Sequence, residues 1–174
     1  NLALLSAEPE YPVPDEKIVD ELGQWTARDW PGKTKDEAAL KRQLAEARTA
    51  ALKASFPEGW SRYGGTQSKR FKATGFFRTE HDGQRWWLVD PDGYGFFSAG
   101  LDCIRSGEDT AVLPGMKRLC RWLPDTNGPF AAAANQRRGT RSVDFGKANL
   151  IRVFGESWRK AWRELVLGRL VAWR

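Results

Sequence analysis

One histidine, His81, and two cysteines, Cys103 and Cys120, are all that this 174-residue chain offers as nitrogen and sulfur metal ligands. The cysteines form no CxxC pair, and one imidazole with two separated thiols falls short of the four-ligand set of a structural zinc site. No metal and no cofactor is therefore expected. The two thiols decide neither their own pairing nor the redox compartment. Long hydrophobic runs are missing as well: no apolar stretch approaches the ~20 residues that span a bilayer, so no membrane partner is expected. A glycine-rich phosphate loop and a G-x-S-x-G nucleophile elbow are both absent from the sequence, which removes the usual signatures of nucleotide-dependent and α/β-hydrolase chemistry. A starting Met is absent too, and Asn1-Leu2-Ala3-Leu4-Leu5 has no basic region before it, unlike a signal peptide. The chain is expected to begin after processing or inside a longer polypeptide.

What is present is aromatic and basic. Nine Trp, nine Phe and three Tyr accompany a composition of 41% hydrophobic and 29% charged residues, the balance of a globular domain. Indole rings line sugar-binding and base-stacking surfaces, and they also fill cores. The net charge of +6 is uneven: residues 137 to 174 hold ten Arg or Lys against Asp144, Glu156 and Glu164, which leaves this tail at +7 and the remainder at −1. A basic tail invites nucleic acid, but four of these charges fall on one amphipathic segment, where a solvated outer face accounts for them. Nucleic acid is not expected as a partner; if it were one, affinity would fall steeply with salt.

Taken in order, residues 6 to 33 hold Pro9, Pro12, Pro14 and Pro31 and read as an extended connector, with Ile18, Val19, Leu22, Trp25 and Trp30 as anchors. Thr34-Lys35-Asp36-Glu37 forms a capping box, and Leu40, Leu44, Ala47, Ala51 and Leu52 follow at helical spacing, predicting a helix over about 35–55. Residues 57–74 read as an irregular loop. From Gly75 to Ile104 three apolar runs are separated by His81-Asp82-Gly83 and Asp90-Pro91-Asp92-Gly93, the pattern of antiparallel strands and turns. The third run is nearly continuous, as expected of a strand buried on both faces. Residues 105–149 read as a long loop with one short helical possibility around Met116–Trp122. Such a length is usually functional or disordered. Glu156 to Arg174 places Trp158, Trp162, Leu165, Val166, Leu170 and Trp173 on one helical stripe.

Asp90 and Asp92 are most simply turn formers, with Pro91 fixing φ and Gly93 supplying φ > 0. His81 lies in the other turn, with no base, nucleophile or metal partner at a recognisable spacing. Asp102, Arg105, Glu108 and Asp109 follow the third run. There they could hold sugar hydroxyls by directional hydrogen bonds or simply form a salt-bridged loop base. Trp122 could stack on a pyranose or cap a helix. Two carboxylates set for glycoside hydrolysis cannot be located from spacing.

The succession Val19-Asp20-Glu21-Leu22-Gly23-Gln24-Trp25, Asp29-Trp30-Pro31-Gly32-Lys33-Thr34, Trp60-Ser61-Arg62-Tyr63-Gly64-Gly65, Ala73-Thr74-Gly75-Phe76-Phe77-Arg78 and Trp86-Trp87-Leu88-Val89-Asp90-Pro91-Asp92-Gly93 with Phe96-Phe97-Ser98-Ala99-Gly100 resembles bacterial agarase-like (β-agarase) glycoside hydrolases. The resemblance implies an α/β fold, the N-terminal portion of a (β/α)8 TIM barrel, preceded by an extended connector, a helix and a β-hairpin and incomplete as a barrel on its own. It implies two parts. Residues 1–74 would be a connector wrapping the barrel, with its helix at about 35–55. Residues 75–174 would hold the hairpin, barrel strand one (Phe96 to Ile104), the long loop after it and barrel helix one. The activity implied is retaining, two-carboxylate hydrolysis of a galactan-type polysaccharide such as agarose, by a secreted or periplasmic enzyme. The alternative is a non-catalytic polysaccharide-binding fragment or accessory module. The two catalytic Glu of such enzymes have no matching position here, so no catalytic residue is assigned, and the rest of the barrel must come from a longer polypeptide or a second chain. Asp102, Arg105 and Trp122 are the expected substrate-binding residues. Tyr94 stands where the family's turn would carry a His.

Overall fold

The computed structural model describes residues 14–98, 100, 102–107, 110–113, 115–137 and 139–173, without the side chain of Arg137. In chain order the elements are α1 (Glu37–Lys53), β1 (Gly65–Arg70), β2 (Arg78–His81), β3 (Trp86–Val89), β4 (Tyr94–Phe96), β5 (Thr110–Leu113), β6 (Ala134–Arg137), β7 (Thr140–Asp144), α2 (Phe145–Phe154) and α3 (Trp158–Ala172). The architecture is mixed α/β, with two antiparallel sheets ordered β1-β4-β3-β2 and β5-β7-β6. Two compact units divide it: one comprises Glu37 and the described residues before it with Gly107–Arg152, the other Ala38–Ser106 with Val153–Arg174.

In the second unit the predicted strands and turns form where expected up to Phe96. Strand β2 pairs with β3 across the turn after His81, and β3 pairs with β4 across Asp90-Pro91-Asp92-Gly93. Gly93 has φ of 88°, and a Cβ there would lie 2.5 Å from the Phe71 carbonyl oxygen, so the turn admits only glycine. Asp90, fully buried, closes it by accepting the Tyr94 N–H at 2.8 Å and the Ser61 hydroxyl at 2.5 Å. Ser61 Oγ in turn accepts the N–H groups of Tyr63 and Gly65.

The expected buried strand over Phe96 to Ile104 is not formed. β4 ends at Phe96, and the next side chain, Phe97, is 77% exposed. An apolar run becomes a buried strand only where neighbouring strands satisfy its backbone groups, and no described residue from 97 to 106 joins a ladder.

Both predicted helices are present. α1 begins at Glu37, two residues after the expected start, and buries Ala39 and Leu40. α3 buries Trp158, Ala161, Leu165 and Gly168, a stripe repeating every three to four residues, while Trp173 at its end is exposed. Gly168 lets the two helices approach closely, since a Cβ there would stand 2.4 Å from Ala51 Cα. Arg48 Nε and Glu164 Oε2 bridge the same pair at 2.6 Å.

The first unit corrects the reading of 105–149 as a long loop. β5, β6 and β7 form a sheet there, and α2 follows β7 directly. Its core is Ala111, Cys120 and Phe145, against which Val19, Met116, Trp122 and Leu123 pack. The connector is not extended either. Asp20 Oδ1 accepts the N–H groups of Leu22 and Gln24 at 2.9 and 2.7 Å, folding it into a turn. The Gln24 amide then both donates to the Thr34 carbonyl and accepts the Thr34 N–H. Val19, one of the anticipated anchors, exchanges backbone hydrogen bonds with Leu119 and Arg121. Pro9 and Pro12 lie outside the described residues.

Candidate functional site

The four-stranded sheet has two chemically different faces because successive side chains alternate across it. On one face Trp87 donates its indole N–H to Asp82 Oδ2 at 2.7 Å, and Lys69 Nζ meets the same oxygen at 2.6 Å. Lys69 also lies 5.3 Å from the ring centres of Phe71 and Trp87, and Arg85 covers Trp87 at 4.0 Å. The Lys69 ammonium, with the Arg85 and Gln84 N–H groups and the Trp87 indole, holds the Asp82 carboxyl well below the usual carboxylate range. A depressed carboxyl contributes stability above its unfolded-state pKa of about 4 and loses that contribution as pH falls toward its folded-state value. Asp82→Asn is therefore expected to lower the thermal midpoint at pH 7 and to flatten the acid side of the stability–pH profile below about pH 4. An unchanged acid limb would contradict this.

The other face is aromatic and open. Trp86 is 71% exposed and meets His81 edge-to-face at 5.2 Å; Leu88 stands opposite Phe96, Phe96 meets Phe77 at 5.1 Å, and Phe77 meets Tyr63 at 5.7 Å. Phe76, Phe77 and Leu88 are exposed as well. Faces of this kind offer flat, apolar ring surface to a partner of matching shape, a pyranose face included. The sequence places these aromatics in apolar runs without distinguishing a core-facing side from an open one. The signal for an open face was the alternation Trp86, Leu88 against Trp87, Val89, visible only once the register was known.

The expected substrate-binding residues do not all lie together. Asp102 and Arg105 are exposed, three positions apart on the irregular segment after β4, where Asp102 Oδ1 accepts the Cys103 N–H at 2.7 Å. Cys103 takes φ of 56°, a left-handed conformation that bends the chain between them. Trp122 belongs to the other unit. It is half-buried, edge-on to Phe130 at 5.4 Å and tilted to Phe145 at 6.4 Å, with the Arg152 guanidinium 4.4 Å over its ring. Arg152 is held there by the Glu21 carbonyl and the Asn149 side chain, and burial lowers its pKa. One indole face is thus taken by an internal cation, as in a core contact. Glu108 and Asp109 lie outside the described residues.

Two carboxylates are fully buried among the described residues, Asp90 and Asp144, one in each unit. Each has a structural task. Asp90 holds the turn, and Asp144 caps α2 by accepting the Lys147 N–H at 2.9 Å, with Lys147 Nζ 3.7 Å away. Among the described residues no group of His, Cys, Asp and Glu could hold a metal ion, and no helix is long and apolar enough to cross a membrane. Cys103 is exposed and Cys120 buried, both as free thiols.

The fold has counterparts. Over 91% of this chain and 20% of the relative, the sequence is 29% identical to β-agarase B of Vibrio sp. (strain JT0107). An exo-β-agarase structure matches 90% of this chain and 28% of its own, with a TM-score of 0.74 and 28% identity. The agarase AgWH50C matches 92% and 26%, with a TM-score of 0.74 and 31% identity, and PfGH50B matches 91% and 27%, with 0.75 and 31%. In sequence and in fold this chain is similar to agarases. The likeness extends along about nine-tenths of the chain and so reaches into both units. The chain spans a fifth to just over a quarter of the length of these relatives. No family model matches it.

Proposed function

We propose that this agarase-like chain is part of a glycoside hydrolase acting on a galactan such as agarose. The observation that carries the reading is the likeness to three solved structures at 28–31% identity over at least 90% of the chain, two of them named as agarases. At that identity the shared sequence extends beyond what a common fold requires. On this reading the chain is the N-terminal portion of a (β/α)8 barrel. Residues 1–74 wrap the barrel, the hairpin floors it, and residues 96–104 become strand one when adjacent strands supply the missing ladder. The retaining carboxylate pair then lies in polypeptide beyond the share of the relatives that this chain spans. Asp102 and Arg105 hold sugar hydroxyls at the cleft, and the enzyme works outside the cytoplasm.

The test is binding and hydrolysis of agaro-oligosaccharides by the 174-residue chain. Binding without hydrolysis is expected, with weak salt dependence, and Asp102→Ala/Arg105→Ala should weaken it roughly tenfold, the loss of one or two charge-assisted hydrogen bonds. Hydrolysis by this chain alone would overturn the assignment of the catalytic pair to other polypeptide. A failure to bind any galactan would overturn the substrate. A second reading, a non-catalytic polysaccharide-binding module, is favoured by the open aromatic face around Trp86. It predicts that Trp86→Ala abolishes binding to insoluble agarose while a longer polypeptide carrying the missing three-quarters confers no hydrolysis.

A further inference from the structure

The sheet of β5, β6 and β7 carries a concavity that neither the barrel reading nor the expected residues use. Its volume is roughly 270 Å³, just below the ~300 Å³ at which sites for drug-sized ligands begin. That space suits a single ring rather than an extended stretch of polymer. Its floor is apolar, made by Val143, which is buried, and Leu113, which is half-buried. Its rim is polar: Asn127, Gln136 and Arg141 line it, with Thr126, Asn135 and Ser142.

Strand register explains why the row Leu113, Arg141 and Gln136 converges. Arg141 in β7 stands directly opposite Leu113 in β5 on one side and Gln136 in β6 on the other. Directly opposed residues have Cβ atoms about 5 Å apart, so these three form a continuous row on one face of the sheet. Asn135 and Ser142, the next opposed pair, alternate to the other face. Thr126 and Asn127 are brought to the rim by the turn of residues 125–128, in which Asp125 Oδ1 accepts the Asn127 N–H at 2.9 Å.

Among the described residues, the side chains of Asn127, Asn135, Gln136 and Arg141 make no intramolecular hydrogen bond or ion pair. Two primary amides, of Asn127 and Gln136, each present a donor and an acceptor, and a guanidinium presents a planar fork of donors. Vicinal sugar hydroxyls need that combination, since each hydroxyl both donates and accepts, and the apolar floor suits the C–H face of a pyranose. With one cation and no carboxylate among the described lining residues, these groups lack both the multiple charges of an anion clamp and the oxygens of a cation site.

We propose that this concavity is a saccharide subsite that takes one neutral hexose unit, held by Gln136, Arg141 and Asn127. That the hexose belongs to a galactan rests on the agarase-like reading above. The subsite itself rests on the geometry.

The experiment is nuclear magnetic resonance titration of the 174-residue chain with agarotetraose, cellotetraose and sodium sulfate in separate arms, with affinities measured by calorimetry. Agarotetraose is expected to shift the side-chain amide signals of Asn127 and Gln136 in a saturable way. Arg141→Ala and Asn127→Ala should each weaken binding roughly tenfold, whereas Arg62→Ala, which breaks an exposed ion pair with Asp92 in the other unit, should leave it unchanged. Asn127 lies on the turn, so its variant tests the subsite even if Arg141→Ala disturbs the sheet. If agarotetraose binds but shifts only signals elsewhere, and both variants bind normally, the subsite is overturned while the galactan reading stands. If cellotetraose alone shifts these amides, the subsite stands and the galactan reading falls. If sulfate shifts them and neither sugar does, or if nothing shifts them, the subsite is overturned.

Discussion

Gly107→Ala is expected to destabilise the protein by at least about 3 kcal/mol, at or beyond the upper end of ordinary overpacking. A Cβ at residue 107 would stand 1.5 Å from Asp144 Oδ2 and 2.1 Å from its carboxyl carbon. Neither atom can retreat easily, because Asp144 is fully buried and its other oxygen caps α2 through the Lys147 N–H. The methyl group must therefore displace either the segment leading into β5 or the cap of the helix that supplies Phe145 to the core. Urea denaturation at pH 7 measures the effect as a shift of midpoint. A loss smaller than about 1 kcal/mol would mean that Gly107 does not pack on this carboxylate as described. The double variant Gly107→Ala/Asp144→Ala makes a sharper check. Asp144→Ala alone forfeits at least the cap, about 1 kcal/mol, but combined with Gly107→Ala it also relieves the collision. The two changes should then be strongly non-additive, with the pair less destabilised than the sum of the singles.

Asp90→Ala is expected to cost about 3 kcal/mol by stranding buried donors. The carboxylate accepts from Tyr94 N–H and from the Ser61 hydroxyl; it is fully buried, and Gly65 lies so close that a Cβ there would stand 2.5 Å from Asp90 Oδ2. Asp90→Asn should fall between alanine and the native residue. Its carbonyl oxygen can still accept one donor, but an amide N–H aimed at Ser61 Oγ meets an oxygen that already accepts from Tyr63 and Gly65. Hydrogen exchange at Tyr94 and Gly93, read together with the denaturation midpoint, distinguishes local opening of the turn from global loss. Equal stability of the alanine variant and the native chain would show that the turn is held by Pro91 and Gly93 alone.

The sequence by itself determined the features whose cause lies within a few residues. α1 follows from the Thr34–Glu37 start signals and a 3.6-residue apolar period, and α3 from the spacing of Trp158, Leu165 and their neighbours. The β2–β3 and β3–β4 hairpins follow from two turn signals and the apolar runs between them. The agarase-like character was legible too, because it resides in ordered short motifs.

Only the tertiary structure decided the rest. Phe96 to Ile104 has the composition of a buried strand, but a strand also requires partner edges, and composition says nothing about where those edges come from. Residues 105–149 carry enough Pro and Gly to read as loop, yet Thr110–Leu113 and Thr140–Asp144 pair with each other across about thirty positions, a long-range register that no local pattern announces. Trp122 could stack on a sugar or pack internally as far as the sequence goes, because an indole is equally suited to both tasks; the structure half-buries it against Phe130, Phe145 and Arg152. The polar rim of Asn127, Gln136 and Arg141 is not legible in the sequence for the same reason. Polar side chains spread over fifteen positions come together only when the sheet and a turn set them around a common space.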